Sequence, residues 1–155
     1  MDKLKLRFIT DPILLEVLPS FSFEDPVIDI AFAESELFRL MDEHHGLGLS
    51  ANQAGIPARM FAMKLKNGKK LFCVNPVVVK SSQILETKIE GCLSDPGAKY
   101  PIERPRKCVV DYNSAEGIPK SIQLTGIDAR CAQHEIDHLN GINIRSKHKS
   151  TQTTI

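Results

Sequence analysis

No apolar run in these 155 residues approaches the ~18 that a membrane-crossing helix needs; the longest are short, such as Val77-Val78-Val79. The first residues, Met1-Asp2-Lys3-Leu4-Lys5-Leu6, lack the apolar stretch of a secretory signal, and Asp11 and Glu16 follow soon after. The expected location is therefore the cytoplasm. Charge of one sign is missing too: Lys and Arg total 20, Asp and Glu total 19, and the net charge is +1. That balance argues against an electrostatic nucleic-acid binder and against a polybasic membrane anchor. The four cysteines, Cys73, Cys92, Cys108 and Cys131, form no C-x-x-C pair and suggest no disulfide framework. No internal repeat is visible.

What remains is globular composition, 42% hydrophobic and 25% charged, at a length that suits one domain with its own core. Asp11-Pro12 reads as a helix start, with Asp11 as cap and Pro12 at the first position. A second start at Asp25-Pro26 leads into Val27, Ile28, Phe32, Leu37, Phe38, Leu40 and Met41, and Gly46 stops that helix. Residues 60–65, 70–74, 77–79, 107–112 and 121–124 read as short strands, with a hairpin turn at Lys66-Asn67-Gly68-Lys69. Thr125 is the expected cap of a last helix that runs to about Leu139, ended by Asn140-Gly141. The order predicts an α+β fold, with N-terminal helices and short antiparallel strands packed around a C-terminal metal-binding helix. Residues 1–144 are expected as a single catalytic domain and 145–155 as a polar, frayed tail.

His134-Glu135-Ile136-Asp137-His138 is an H-E-x-x-H sequence within that last helix. Four residues advance about 400°, so both imidazoles leave one face and can share a metal. Glu135 lies beside the pair and can serve a metal-activated water as general base and acid. An ordinary exposed helix with two chance histidines is the bland alternative. A catalytic site needs a third ligand and an open position. No Asp or Glu follows His138, and the only later histidine is His148. The third ligand must then come from upstream, where His44, His45 and the cysteines are candidates. Cys92 stands out in Glu90-Gly91-Cys92-Leu93-Ser94, because thiolate is a good ligand for first-row divalent ions. Alone it also reads as a small core residue, or as a nucleophile paired with His134 or His138.

Gly46-Leu47-Gly48-Leu49-Ser50-Ala51 matches G-x-G-x-x-A. The preceding segment is helical, and no Asp or Glu occurs from His44 through Leu85 to hold ribose hydroxyls, so a dinucleotide site is disfavoured. The glycines instead mark backbone that something approaches closely, with the Gln53 amide as a donor nearby.

In order, Gly46 to Gln53, Glu90 to Ser94 and Gln133 to His138 resemble the three motifs of the peptide deformylases, and the similarity covers most of residues 10–141. The resemblance implies a hydrolase that removes the formyl group from N-formylmethionyl peptides of newly made proteins and releases formate. It implies one divalent metal on Cys92, His134 and His138, Fe(II) in the cell, with Zn(II), Ni(II) or Co(II) as replacements. It makes Glu135 the general base and acid. Gln53 and the Leu93 backbone N–H become the donors to the formyl oxygen. It lines the substrate with Gly48 and Gly91, and the methionine pocket with Leu47, Ile127 and Cys131. Glu90 and Arg104 pair structurally in this reading.

Transient contact with the ribosome is a candidate partnership; direct nucleic-acid recognition and membrane binding are not expected, and the working form is a monomer. Ser50 stands where the family has alanine, and Arg130 and Lys88 where it often has apolar pocket residues. Short members without a C-terminal helix look like those of bacteriophages, which extends the expected location to a bacterial host's cytoplasm. The rival readings are a zinc endoprotease and a noncatalytic metal-binding module.

Overall fold

The structure, a computed structural model, describes residues 1–152. It is an α+β fold of three helices, α1 (Ile30–Glu43), α2 (Ile127–Leu139) and α3 (Ile144–Gln152), with seven strands. Strands β1 (Gly48–Ser50), β2 (Met60–Lys64), β3 (Lys70–Ser81), β6 (Lys107–Asn113) and β7 (Pro119–Thr125) form an antiparallel sheet in the order β1-β2-β3-β6-β7. Between β3 and β6 in sequence, β4 (Leu85–Cys92) and β5 (Asp95–Pro105) pair only with each other, as a separate antiparallel hairpin.

Strands β2 and β3 are apolar on both faces because a helix covers each face. Met60, Ala62, Phe72 and Val74 join the cluster that holds Leu37, Leu40 and Met41 of α1. The alternating residues Phe61, Met63, Leu71 and Cys73 join the cluster that holds Ala129, Ala132, Ile136 and Leu139 of α2. Period-two side-chain geometry thus sends one sequence to two cores. The sheet is the partition between them, and α2 is pressed on one side with its histidines turned toward β1 and the hairpin.

The boundaries differ from expectation where caps compete. Helix α1 begins after Asp29, whose carboxylate accepts from Phe32 N, rather than after Asp25. The Asp11-Pro12 start is capped as expected, by Asp11 accepting from Ile13 N, but yields one 3-10 turn, Pro12–Leu15. The N-cap of α2 is Gly126, without a side-chain bond, and not Thr125. Strand β3 runs through Pro76 because the register shifts there, so the missing N–H falls in an irregularity. Just before it, the Asn75 carboxamide accepts from Phe21 N at 2.7 Å and donates to Phe21 O at 3.0 Å. At Gly141, φ is +73° and a Cβ would lie 2.6 Å from Leu15 O, so glycine alone ends α2 against that turn.

Two parts of the expected fold need correction. The strands are not uniformly short, since β3 has 12 residues and β5 has 11. The metal-site helix is also not the last one. Most of the segment expected as a frayed tail forms α3, anchored by buried Ile144. Arg145 pairs with Asp95 at 3.1 Å, Lys147 with Asp137 at 3.2 Å, and the His148 ring packs on Tyr100. A polar segment gains helical order here through charge pairing rather than an apolar stripe. The last three residues of the expected tail, 153–155, lie outside the described residues.

One ion pair within α1, Glu36 with Arg39, gives a stability prediction. Arg39 donates to both carboxylate oxygens of buried Glu36, at 2.7 and 2.8 Å, and Leu4 N donates to the same group at 2.7 Å. Bonding from Arg39, more than burial opposes it, lowers the Glu36 pKa from 4.5 to about 2. A depressed folded-state pKa contributes stability above pH 4.5 that is lost as pH falls toward 2. Glu36→Gln is therefore expected to cost about 1–3 kcal/mol at pH 7. The gap from the parent should close on acidification, as read by urea unfolding at pH 7 and below pH 3. An equal gap at both would contradict this account.

Candidate metal centre

Helix α2 presents the H-E-x-x-H residues one turn apart, and the hairpin end brings Cys92 to them. The His134 and His138 Nε2 atoms are 3.2 Å apart, and Cys92 Sγ is 3.4 Å from His138 Nε2. The three potential ligand atoms all lie within 4.8 Å of one another. Of the upstream candidates, Cys92 is the one the fold delivers. His44 caps α1 and His45 follows it with φ of 56°, both exposed and outside the trio.

Glu90 orients this group. Its Oε1 lies 2.9 Å from His134 Nδ1, which assigns the proton to Nδ1 and leaves the Nε2 lone pair facing the other two ligand atoms. Burial pushes Glu90 upward, but bonds from His134 and Arg104 outweigh it and hold the carboxyl well below the usual range. Arg104 is the buried counter-ion: its Nε and Nη2 bind the two Glu90 oxygens at 2.6 and 2.9 Å, and its Nη1 binds Asp137 at 2.8 Å.

Burial pushes His138 well below the ordinary imidazole range, so it is a neutral ligand. For His134, burial opposes charge, while bonds to Cys92 and Glu90 and the nearby Glu135 carboxyl raise its pKa.

Glu135 is 3% exposed, and burial lifts its carboxyl to about pKa 7. Its Oε2 is buried without a hydrogen-bond partner among the described residues. A buried carboxylate oxygen without a donor is costly and marks a place built for another group. A soft sulfur with two imidazole nitrogens is a donor set for a divalent first-row ion. Together these observations fit a bound metal with a protic ligand beside Glu135.

The centre opens into a cavity of about 400 Å³. Leu47, Gly48, Gln53, Gly91, Cys92, Leu93, Ile127, Cys131, His134 and Glu135 all line it; His138 lies behind, 1% exposed. Gly48 is constrained by approach: a Cβ would lie 2.7 Å from Cys131 Sγ and 2.9 Å from Glu135 Oε1. Burial, with Glu135 adding to it, pushes the Cys131 thiol upward, so it is a neutral wall. Gln53 Oε1 accepts from Ser50 N at 3.0 Å, which leaves Nε2 toward Ser94 Oγ at 2.9 Å and Cys92 Sγ at 3.8 Å. Ser50 supports this amide through its hydroxyl, 2.9 Å from Gln53 Oε1.

Residue-level reading of the motifs missed Asn52, whose Nδ2 donates to His138 O at 2.7 Å and pins the end of the ligand helix. Its only signal was a second carboxamide beside Gln53.

A sequence-family model described as polypeptide deformylase matches residues 4–154. This chain belongs to that family. A peptide deformylase of Brucella suis is 41% identical over 142 residues, covering 88% of this chain and 79% of the relative. One of Rhizobium meliloti is 37% identical over 141 residues, covering 88% and 80%. Among solved structures, the peptide deformylase of Thermotoga maritima superposes with a TM-score of 0.88 at 31% identity, covering 95% of this chain and 98% of that one. The Synechococcus elongatus deformylase, solved with actinonin, gives 0.87 at 32% identity, covering 94% and 78%. The chain is a metallo-hydrolase that removes N-formyl groups, and it carries the deformylase family's Cys-His-His group.

Proposed function

We propose that Cys92, His134 and His138 hold one divalent ion, Fe(II) in the cell and replaceable by Zn(II), Ni(II) or Co(II), and that the substrate is an N-formylmethionyl peptide. The convergence of Sγ and two Nε2 atoms within 4.8 Å, beside a buried carboxylate oxygen without a partner, carries this reading. When bound, the ion supplies an acidified water and polarises the formyl carbonyl.

Glu135 takes a proton from the attacking water and returns it to the departing amide nitrogen, so that the C–N bond breaks into formate and a free amino group. Burial raises the Glu135 carboxyl from its ordinary range, which makes it a better proton acceptor and still able to return the proton. The Gln53 amide and the Leu93 backbone N–H donate to the formyl oxygen as charge develops on it. The backbones at Gly48 and Gly91 pair with the peptide as an added strand. Leu47, Ile127 and Cys131 receive the methionine side chain. Residues 1–144 act as one catalytic unit, working as a monomer in the cytoplasm on chains leaving the ribosome. Among the described residues no helix is long and apolar enough to cross a membrane.

The test combines metal analysis with formate release from formyl-Met-Ala-Ser. One metal per chain is expected, with turnover lost on chelation and restored by Ni(II) or Co(II). Turnover that survives complete metal removal, or cleavage of internal bonds in an unformylated peptide instead, would overturn the proposal.

A further inference from the structure

Arg130 lies one turn before His134, among Ala129, Cys131 and Ala132, where an arginine has no local reason to be. Its guanidinium reaches three acceptors. Nη1 donates to Glu90 Oε2 at 2.6 Å and to Ile102 O at 2.8 Å, and Nη2 donates to Glu86 O at 2.7 Å. Glu86 and Glu90 belong to β4 and Ile102 to β5, so one side chain of α2 grips both strands of the hairpin. That hairpin pairs with no strand of the five-stranded sheet. No backbone ladder therefore sets its distance from α2, yet it carries Cys92 and Glu90, while α2 carries His134 and His138. Apart from Gly126 N donating to Arg106 O at 2.9 Å where α2 begins, side chains set that distance: Arg130, the Arg104–Asp137 pair, and Gln133 Nε2 donating to Pro105 O at 3.0 Å. The Arg130 side chain is 11% exposed, and it contributes to the cavity wall.

We propose that Arg130 is a positioning residue for the metal centre. It clamps the hairpin to α2 so that the Cys92 sulfur stays within ligand reach of both imidazoles and the Glu90 carboxylate stays on His134 Nδ1. The inference rests on the trio being the ligand set proposed above. A planar fork with several donors is required, because the three acceptors are met by two different nitrogens of the guanidinium, Nη1 on Glu90 and Ile102 and Nη2 on Glu86, and one ammonium nitrogen cannot reach all three at once.

The test uses the full chain loaded with Co(II), comparing the parent with Arg130→Met, Arg130→Lys and Arg39→Met. Arg39→Met removes a comparably connected arginine of α1, away from the centre, and controls for general loss of stability. Two quantities are read: the rate of Co(II) loss to EDTA, and the thiolate-to-Co(II) charge-transfer absorption. Both Arg130 variants are expected to lose Co(II) about 10–100-fold faster, as for other loss of a ligand-orienting partner, with a shifted or weakened absorption band. Arg39→Met should keep the parent's rate and band. Should Arg130→Met fail to fold, Arg130→Lys carries the same expectation. Parent-like rate and band in the Arg130 variants would overturn the proposal, and so would equal acceleration by Arg39→Met. Formate release by the parent is measured separately, so the substrate assignment and the role of Arg130 fail independently.

Discussion

Glu135→Gln is expected to retain the metal and lose formate release by a factor on the order of 10²–10⁴. The substitution keeps the volume of a side chain that is only 3% exposed, so the fold around it has little to rearrange. What it removes is the capacity to accept a proton, which an amide lacks at any working pH. Cys92→Ser makes the complementary change. It leaves the Glu135 carboxyl in place and replaces a soft thiolate with a hydroxyl, so metal content falls and turnover follows it. Metal analysis and formate release on the two variants separate proton transfer from ion retention. A Glu135→Gln protein with parent-like turnover would remove Glu135 from the chemistry, and a Cys92→Ser protein with full metal content would remove Cys92 from the ligand set.

Arg104→Met is expected to cost about 3–5 kcal/mol of folding free energy, the usual result of breaking a buried ion pair from one side. Arg104 is 2% exposed and binds Glu90 through two donors and Asp137 through a third. Without it, Glu90 keeps Arg130 and His134, and Asp137 keeps Lys147, so some compensation remains. The cost therefore belongs near the lower end of the range. For a chain of this size it corresponds to a drop in Tm of roughly 10 °C, measurable by thermal unfolding. A loss below about 1 kcal/mol would show that the neighbouring cations neutralise Glu90 by themselves.

How much of this was legible beforehand depended on where each constraint resides. The helix around His134 and His138 and its end at Gly141 are local matters of spacing and backbone sterics, so they were readable. So was the strand character of residues 60–64 and 70–74, because burial on both faces leaves a continuous apolar run. The β4–β5 hairpin was not: of the eight residues of β4, only Glu90 is buried, so no alternation announces a strand. Its order comes from pairing with β5 and from arginines of distant segments. Helix α3 was hidden for a similar reason, since its partners Asp95, Tyr100 and Asp137 come from elsewhere in the chain.

By itself, then, the order of residues determined the two imidazoles on one helical face, the acid beside them, the loops' glycines and the kinship of the three motifs. The kinship of the motifs also pointed to Cys92 and to a Glu90–Arg104 pair; the fold decided that the sulfur meets the imidazoles while His44 and His45 stay apart, that Glu90 orients His134, and that Arg104 and Arg130 bind the hairpin to α2. The physical reason is range: helical periodicity and backbone sterics act over a few residues, whereas ligand convergence and buried charge compensation join segments some forty residues apart, and only packing sets those distances.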